Sequence, residues 1–278
     1  KSNPLDFTGL FLFGSGIALL SYVLEVFGEH TLSTLEILTL LAISIGLLIS
    51  YGRHATKAPF PLLRLPLFKI RTFRAAVSGG FFTRLGLGGI PFILPLLYQV
   101  GLGFTPIQSG LLIMPQAIAS MTLKIVVQRI LAYFGYRTIL VSNTLISGAL
   151  ILSFATIGIG TPVWVIVLLA FCSGFFNSLQ YSSMNTLVYA DINEEQTSGA
   201  STIASTMQQM SISFGIATAS LAIAMFVPDR FHTTTAEMIS GIHKAFFVLG
   251  GLTIVSAIVF RELKNSDGAS TSLHEGSD

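Results

Sequence analysis

Ala75-Ala-Val-Ser-Gly-Gly-Phe-Phe-Thr-Arg84-Leu-Gly-Leu-Gly-Gly-Ile-Pro91-Phe-Ile-Leu-Pro95-Leu-Leu-Tyr98 carries a single charge in 24 residues. A bilayer core about 30 Å thick needs about 20 mostly apolar helical residues, so this stretch is long enough to cross one. Seven more such stretches flank it, at 7–26, 35–51, 107–127, 138–158, 163–189, 199–226 and 242–260. They fill almost all of the 278 residues, and only 10% of the chain is charged. Backbone polar groups in lipid must be satisfied internally, which leaves helices or closed barrels. The ten-residue alternation of a barrel is absent. The fold class is therefore all-α, a polytopic membrane bundle with eight transmembrane helices.

Charge between the spans sets an expected orientation. Arg53, Lys57, Arg64, Lys69, Arg71 and Arg74 lie between the second and third spans, Lys124, Arg129 and Arg137 between the fourth and fifth, and Arg261 and Lys264 after the last. The loops on the other side, 27–34, 99–106, 159–162 and 227–241, contain only Arg230. The positive-inside rule makes the first set cytoplasmic and puts both ends of the segment there. Localised basic residues and a net charge of +2 argue against nucleic acid as a partner.

The division that follows is 1–51 for two spans, 52–74 for a basic linker, 75–260 for six spans and 261–278 for a disordered cytoplasmic tail. Ala58-Pro-Phe-Pro61 stops the second span, and the basic, bulky run to Arg74 suits an interfacial segment with its charges toward anionic membrane lipid. A loop that merely obeys the positive-inside rule is the other reading. Lys1-Ser-Asn-Pro-Leu-Asp6 is neither an initiator Met nor a signal peptide, so the expectation is a piece of a longer protein.

Polar groups inside spans are expensive in lipid and mark candidate functional positions. Arg84 should face the bundle interior as an anion or substrate contact or in a gating pair; the alternative is a side chain that snorkels to the headgroups. Pro91, Pro95 and Pro115 interrupt the third and fourth spans and suit helices that kink during gating, although proline is common in membrane helices. Asn177, Tyr181 and Asn185 fall at i, i+4 and i+8, on one stripe of the sixth span, beside Gln180 and Met184. Gln208-Gln209 lies in the seventh span, with a small-residue face at Ser211, Gly215 and Ala219. Such amides, phenol and thioethers suit a weakly polar cavity, or else bond helices together. There is no Walker loop, dinucleotide fingerprint, hydrolase triad or metal-spaced His/Cys cluster, so the sequence points to no enzyme, cofactor or metal.

Several stretches resemble one family. Asp6-Phe-Thr-Gly9, Pro91-Phe-Ile-Leu-Pro-Leu-Leu-Tyr-Gln99, Thr105-Pro-Ile-Gln-Ser-Gly110, Met114-Pro115, Val188-Tyr-Ala-Asp-Ile192 and Glu195-Gln-Thr-Ser-Gly-Ala200 are similar to the later part of the fourteen-span drug:proton antiporter branch of the major facilitator superfamily, the EmrB/QacA and HsrA-like permeases. The resemblance implies two additional central spans plus the six-helix C-terminal half of that fold, in a bacterial inner membrane. It also implies proton-coupled export of drugs or small organic solutes by alternating access. Arg84, Gln116, Asn177, Tyr181, Asn185 and Gln208 would line this half's share of the cavity. Gln128-Arg-Ile-Leu-Ala-Tyr-Phe-Gly-Tyr-Arg137 keeps Arg129, Gly135 and Arg137 of the related cytoplasmic loop motif, but Ala132 and Tyr133 replace its acid and following base, which leaves an electrostatic latch in doubt. The N-terminal six-helix half, with the family's proton-coupling carboxylates, is the missing partner. A metabolite transporter of the same fold and a non-transporting scaffold or sensor stand as alternatives.

Overall fold

The computed structural model describes residues 4–27, 32–227 and 232–269; Arg230 lies outside the described residues. Eight helices long and apolar enough to cross a membrane are present, each overlapping an expected span. In chain order they comprise α1 (Phe7–Phe27), α2 (Thr34–Lys57), α3 (Arg71–Leu87) continued by α4 (Ile90–Leu96), α5 (Pro106–Phe134), α6 (Tyr136–Phe154), α7 (Val163–Leu187), α8 (Thr197–Phe226) and α9 (Thr235–Ser256). Side chains satisfy the free amides at the start of several helices. Ser33 with Glu36 and Thr105 with Gln108 form reciprocal capping boxes at α2 and α5, and Thr234 caps α9 through the Glu237 amide.

The third span is broken rather than continuous. α3 ends before Gly88-Gly89, α4 restarts with Pro91 in its first turn, and a π-helical turn follows at Leu97–Gly101. Pro is tolerated in a first helical turn because that amide has no intrahelical acceptor. Pro95 lies inside α4 and removes a bond there, whereas Pro115 sits within a helix that runs on to Phe134.

The helices α3, α8 and α9 pack together, α5 lies on α7, and α6 bridges α7 and α9. Close approach explains the glycines. A Cβ on Gly215 would lie 2.7 Å from the Arg84 carbonyl oxygen, and one on Gly174 would lie 2.5 Å from the Gln116 Cα. Two buried clusters form the core. One, around Tyr98, Phe154 and Phe246, fills the side of the α4 and α9 N-terminus; the other, around Phe73, Tyr136 and Phe260, fills the opposite side.

The α1–α2 hairpin is stapled at one end. Asp6 accepts from the Gly9 amide and from His54 Nε2, both at 2.8 Å. Asp6-Phe-Thr-Gly9 is thus a helix start: a Cβ on Gly9 would collide with the Asp6 carboxylate. The Gly9 amide foremost, with help from His54, holds the Asp6 carboxyl below its ordinary range against a smaller desolvation effect. Ser44 donates to the Gly16 carbonyl at 2.8 Å inside the hairpin, and α1 rests on α8.

In the 52–74 segment, α2 continues to Lys57 and a single 3-10 turn forms at Leu65–Lys69. The Leu63 amide donates to the Tyr51 hydroxyl at 2.8 Å, and Leu67 is buried in the core. At the other end of the chain a 3-10 turn carries α9 on to Glu262, and residues 263–269 fold back onto α3. Arg71 donates to both Asp267 carboxylate oxygens, at 3.0 and 2.6 Å, and the Lys264 amide donates to the same group at 2.6 Å. The start of the expected disordered tail is therefore tethered, because one acid in a polar run meets a basic residue distant in sequence. Residues 270–278 of that tail lie outside the described residues.

Candidate functional site

Arg84 occupies the middle of the 31-residue third span and is 8% exposed. Its guanidinium is directed toward α7 and reaches back along α3 to Gly80. Nη2 donates to Asn185 Oδ1 at 3.4 Å, and the guanidinium carbon stands 5.3 Å from the centre of the Tyr181 ring. The ring face attracts the cation, and attraction of this kind strengthens when the pair is desolvated. Arg84 forms no ion pair among the described residues.

A narrow cleft of about 20 Å³ opens beside it, lined by Arg84, Met184, Asn185, Met207 and Gln208 among others. α3 places the cation, α7 supplies the amide and thioether, and α8 supplies a second amide and thioether. Three expected residues, Arg84, Asn185 and Gln208, therefore meet in one cleft, and Tyr181 supports it from behind. Gln116 and Asn177 are not among the residues lining this cleft. α5 touches α7 where Gln116 meets Gly174, and Ser120 donates to the Gln116 carbonyl at 2.9 Å. Asn177, three residues beyond Gly174, donates to Ser173 Oγ at 3.3 Å. The eight residues from Asn177 to Asn185 span about 12 Å of helix.

One polar cluster lies outside the expected set. Gln180 is fully buried, donates to Thr144 Oγ1 at 2.8 Å and accepts from Asn143 at 3.0 Å, and Asn143 also donates to the Phe176 carbonyl at 2.8 Å. This network joins α6 to α7 and faces no cavity from Gln180, so its role is packing. The adjacent Asn143-Thr144 pair inside an apolar span is the signal that marks it in the sequence.

The remaining expected positions serve the frame. Gly135 joins α5 directly to α6 with φ +78°, a conformation that favours glycine. Arg129 is exposed and Arg137 half-buried, and neither pairs with a carboxylate among the described residues. Asp191, in the loop before α8, accepts from Thr72 Oγ1 at 2.6 Å, tying that loop to the first turn of α3. Among the described residues no group of three or more His, Cys, Asp or Glu side chains is placed to hold a metal ion.

Fold and site together define a helical membrane bundle with a narrow, weakly polar cleft where α3, α7 and α8 meet. The family description "Major Facilitator Superfamily" matches residues 4–216 and, overlapping, 78–275. The chain belongs to that superfamily of membrane transport proteins. Among similar proteins are three provisionally named multidrug resistance protein MdtD. The one from Serratia proteamaculans (strain 568) is 34% identical over 246 residues, covering 88% of this chain and 51% of that protein. Those from Enterobacter sp. (strain 638) and Escherichia coli O157:H7 are 33% and 32% identical, each covering 95% of this chain and 56% of the relative. The chain thus spans about half the length of the curated relatives it matches.

Proposed function

We propose that this chain is the C-terminal portion of a secondary active transporter that exports small organic solutes, drugs included, by alternating access coupled to proton entry across a bacterial inner membrane. The observation that carries the reading is Arg84: a charge buried at mid-span, unanswered by any carboxylate among the described residues, beside a cleft of amides and thioethers. Substrates of this kind of fold bind near the midplane between two halves. The relatives' names add drug resistance to that expectation, and the six-helix N-terminal half is the partner that completes the cavity and supplies the proton-carrying carboxylate. Gln116, Asn177 and Tyr181 extend the same wall, and Pro91, Pro95 and Pro115 let the flanking helices bend.

Because the cleft's charged group is a cation, this half favours neutral and anionic amphiphiles over cationic ones. The test is efflux of fluorescent dyes of each charge type by the full-length protein and by Arg84→Ala. A hydrogen bond to a charged group contributes about 1.5–3 kcal/mol, so the variant should lose about tenfold or more in export of anionic dyes. Its level in the membrane should be unchanged. Wild-type export of every dye by Arg84→Ala would overturn the assignment.

A further inference from the structure

The direction of the Arg84 side chain follows from one glycine. Side chains on an α-helix lean toward its N-terminus, over the turn that precedes them. For Arg84 that turn contains Gly80, four residues earlier in α3 and buried. A Cβ on Gly80 would lie 2.8 Å from Arg84 Nη1 and 3.5 Å from Met184 Sδ. The first distance is shorter than Cβ atoms tolerate, so the guanidinium uses the room that an alanine methyl would fill.

The neighbouring glycines have a different task. Cβ atoms on Gly79, Gly86 and Gly89 would meet Phe260, Thr253 and Ala219, each on another element of the bundle. Gly80 alone of these four meets first the far end of a side chain on its own helix. Glycine inside a helix is disfavoured against alanine, and at position 80 the return is a seat for the guanidinium. That seat lies on the cleft side. The lining of the cleft continues from Arg84 back along α3 to Val77 and Ala76, about 12 Å of helix, and Gly80 falls between them. Tyr181 and Asn185 on α7 and the bare backbone of Gly80 on α3 thus fix the cation from two helices.

We propose that Gly80 is the positioning residue behind the charge selectivity of this cleft. By leaving out a Cβ it lets the guanidinium lie along α3 toward the cleft, where it meets the anionic group of a substrate. The inference rests on the reading of Arg84 as a substrate contact, and Gly80 acts only through Arg84.

The test is a double-mutant cycle in the full-length protein that reads export of one anionic and one neutral fluorescent dye. Gly80→Ala should cut the ratio of anionic to neutral export about tenfold, as loss of a hydrogen bond to a charged group does. Its level in the membrane and its melting temperature should not fall, because the added methyl meets only a flexible side-chain end. The same change should do nothing further in Arg84→Ala, and nothing in Arg84→Lys, whose shorter side chain lacks Nη1. Gly79→Ala, whose methyl meets the Phe260 ring, should instead lower the melting temperature and leave the ratio unchanged. A normal ratio in Gly80→Ala beside a defective Arg84→Ala would overturn the role of Gly80 and leave that of Arg84 standing. So would a Gly80→Ala defect that persists in the Arg84→Ala background or comes with loss of the protein from the membrane, since either makes Gly80 a packing residue. Normal export of both dyes by Arg84→Ala would overturn the two readings together.

Discussion

Arg84 shows how much a single side chain can disclose about its neighbours. A guanidinium in a hydrocarbon span is costly enough to demand partners, and the period of an α-helix names the stripe on α7 that provides them. Asn185 and Tyr181 of that stripe do meet Arg84, whereas Asn177 and Gln116 stand about two turns away, because where two helices touch is decided by a glycine on one of them. Gly174 brings α7 against the backbone of α5 at Gln116. No spacing rule within one helix encodes that contact. Cysteines at Asn177 and Tyr181, in a background lacking Cys172, should react with a polar thiol reagent and be protected by substrate; complete inertness of both would make the stripe packing instead. Gly215→Leu should destabilise the bundle by about 1–3 kcal/mol or more, since its Cβ would press on the Arg84 carbonyl, and the loss should show as a lower melting temperature in detergent. Gln180→Leu should cost less, well under about 2 kcal/mol, as buried interhelical hydrogen bonds in membranes do.

At the scale of elements, every span is legible in the sequence as an apolar run, and the capping boxes of Ser33 with Glu36 and Thr105 with Gln108 mark where two of the helices begin. The tether of residues 263–269 is not legible there, since a polar segment reads as solvated until a distant partner is placed beside it. Burial acts to raise the Asp267 carboxyl, but the Arg71 guanidinium and the Lys264 amide outweigh it and hold the group below its usual 3.8. A carboxyl lowered on folding stabilises the tether fully above that usual value and loses its contribution as pH falls through the lower, folded value. Protection of residues 263–269 against hydrogen exchange, taken relative to the unfolded-chain rate at each pH, should therefore persist at neutral and mildly acid pH and fall only in strong acid. Asp267→Asn should expose the segment already at neutral pH, at a local cost of about 1–3 kcal/mol.

For the whole molecule, α3 and α5 to α9 pack into one bundle, and the α1–α2 hairpin rests on it through α1 and α8. The chain's share of its relatives and the positive loops together make two expectations. Cysteines introduced at Lys69 or Arg129 should be reached by an impermeant thiol reagent only from the cytoplasmic side, and residues 1–278 expressed alone should enter the membrane without producing efflux. Gly135 has a mechanical consequence as well. A 29-residue α5 and a 19-residue α6 meet at that one residue, with no slack between them. An axial shift of α5 would therefore pull on α6, and through it on α7 and α9, against which α6 packs.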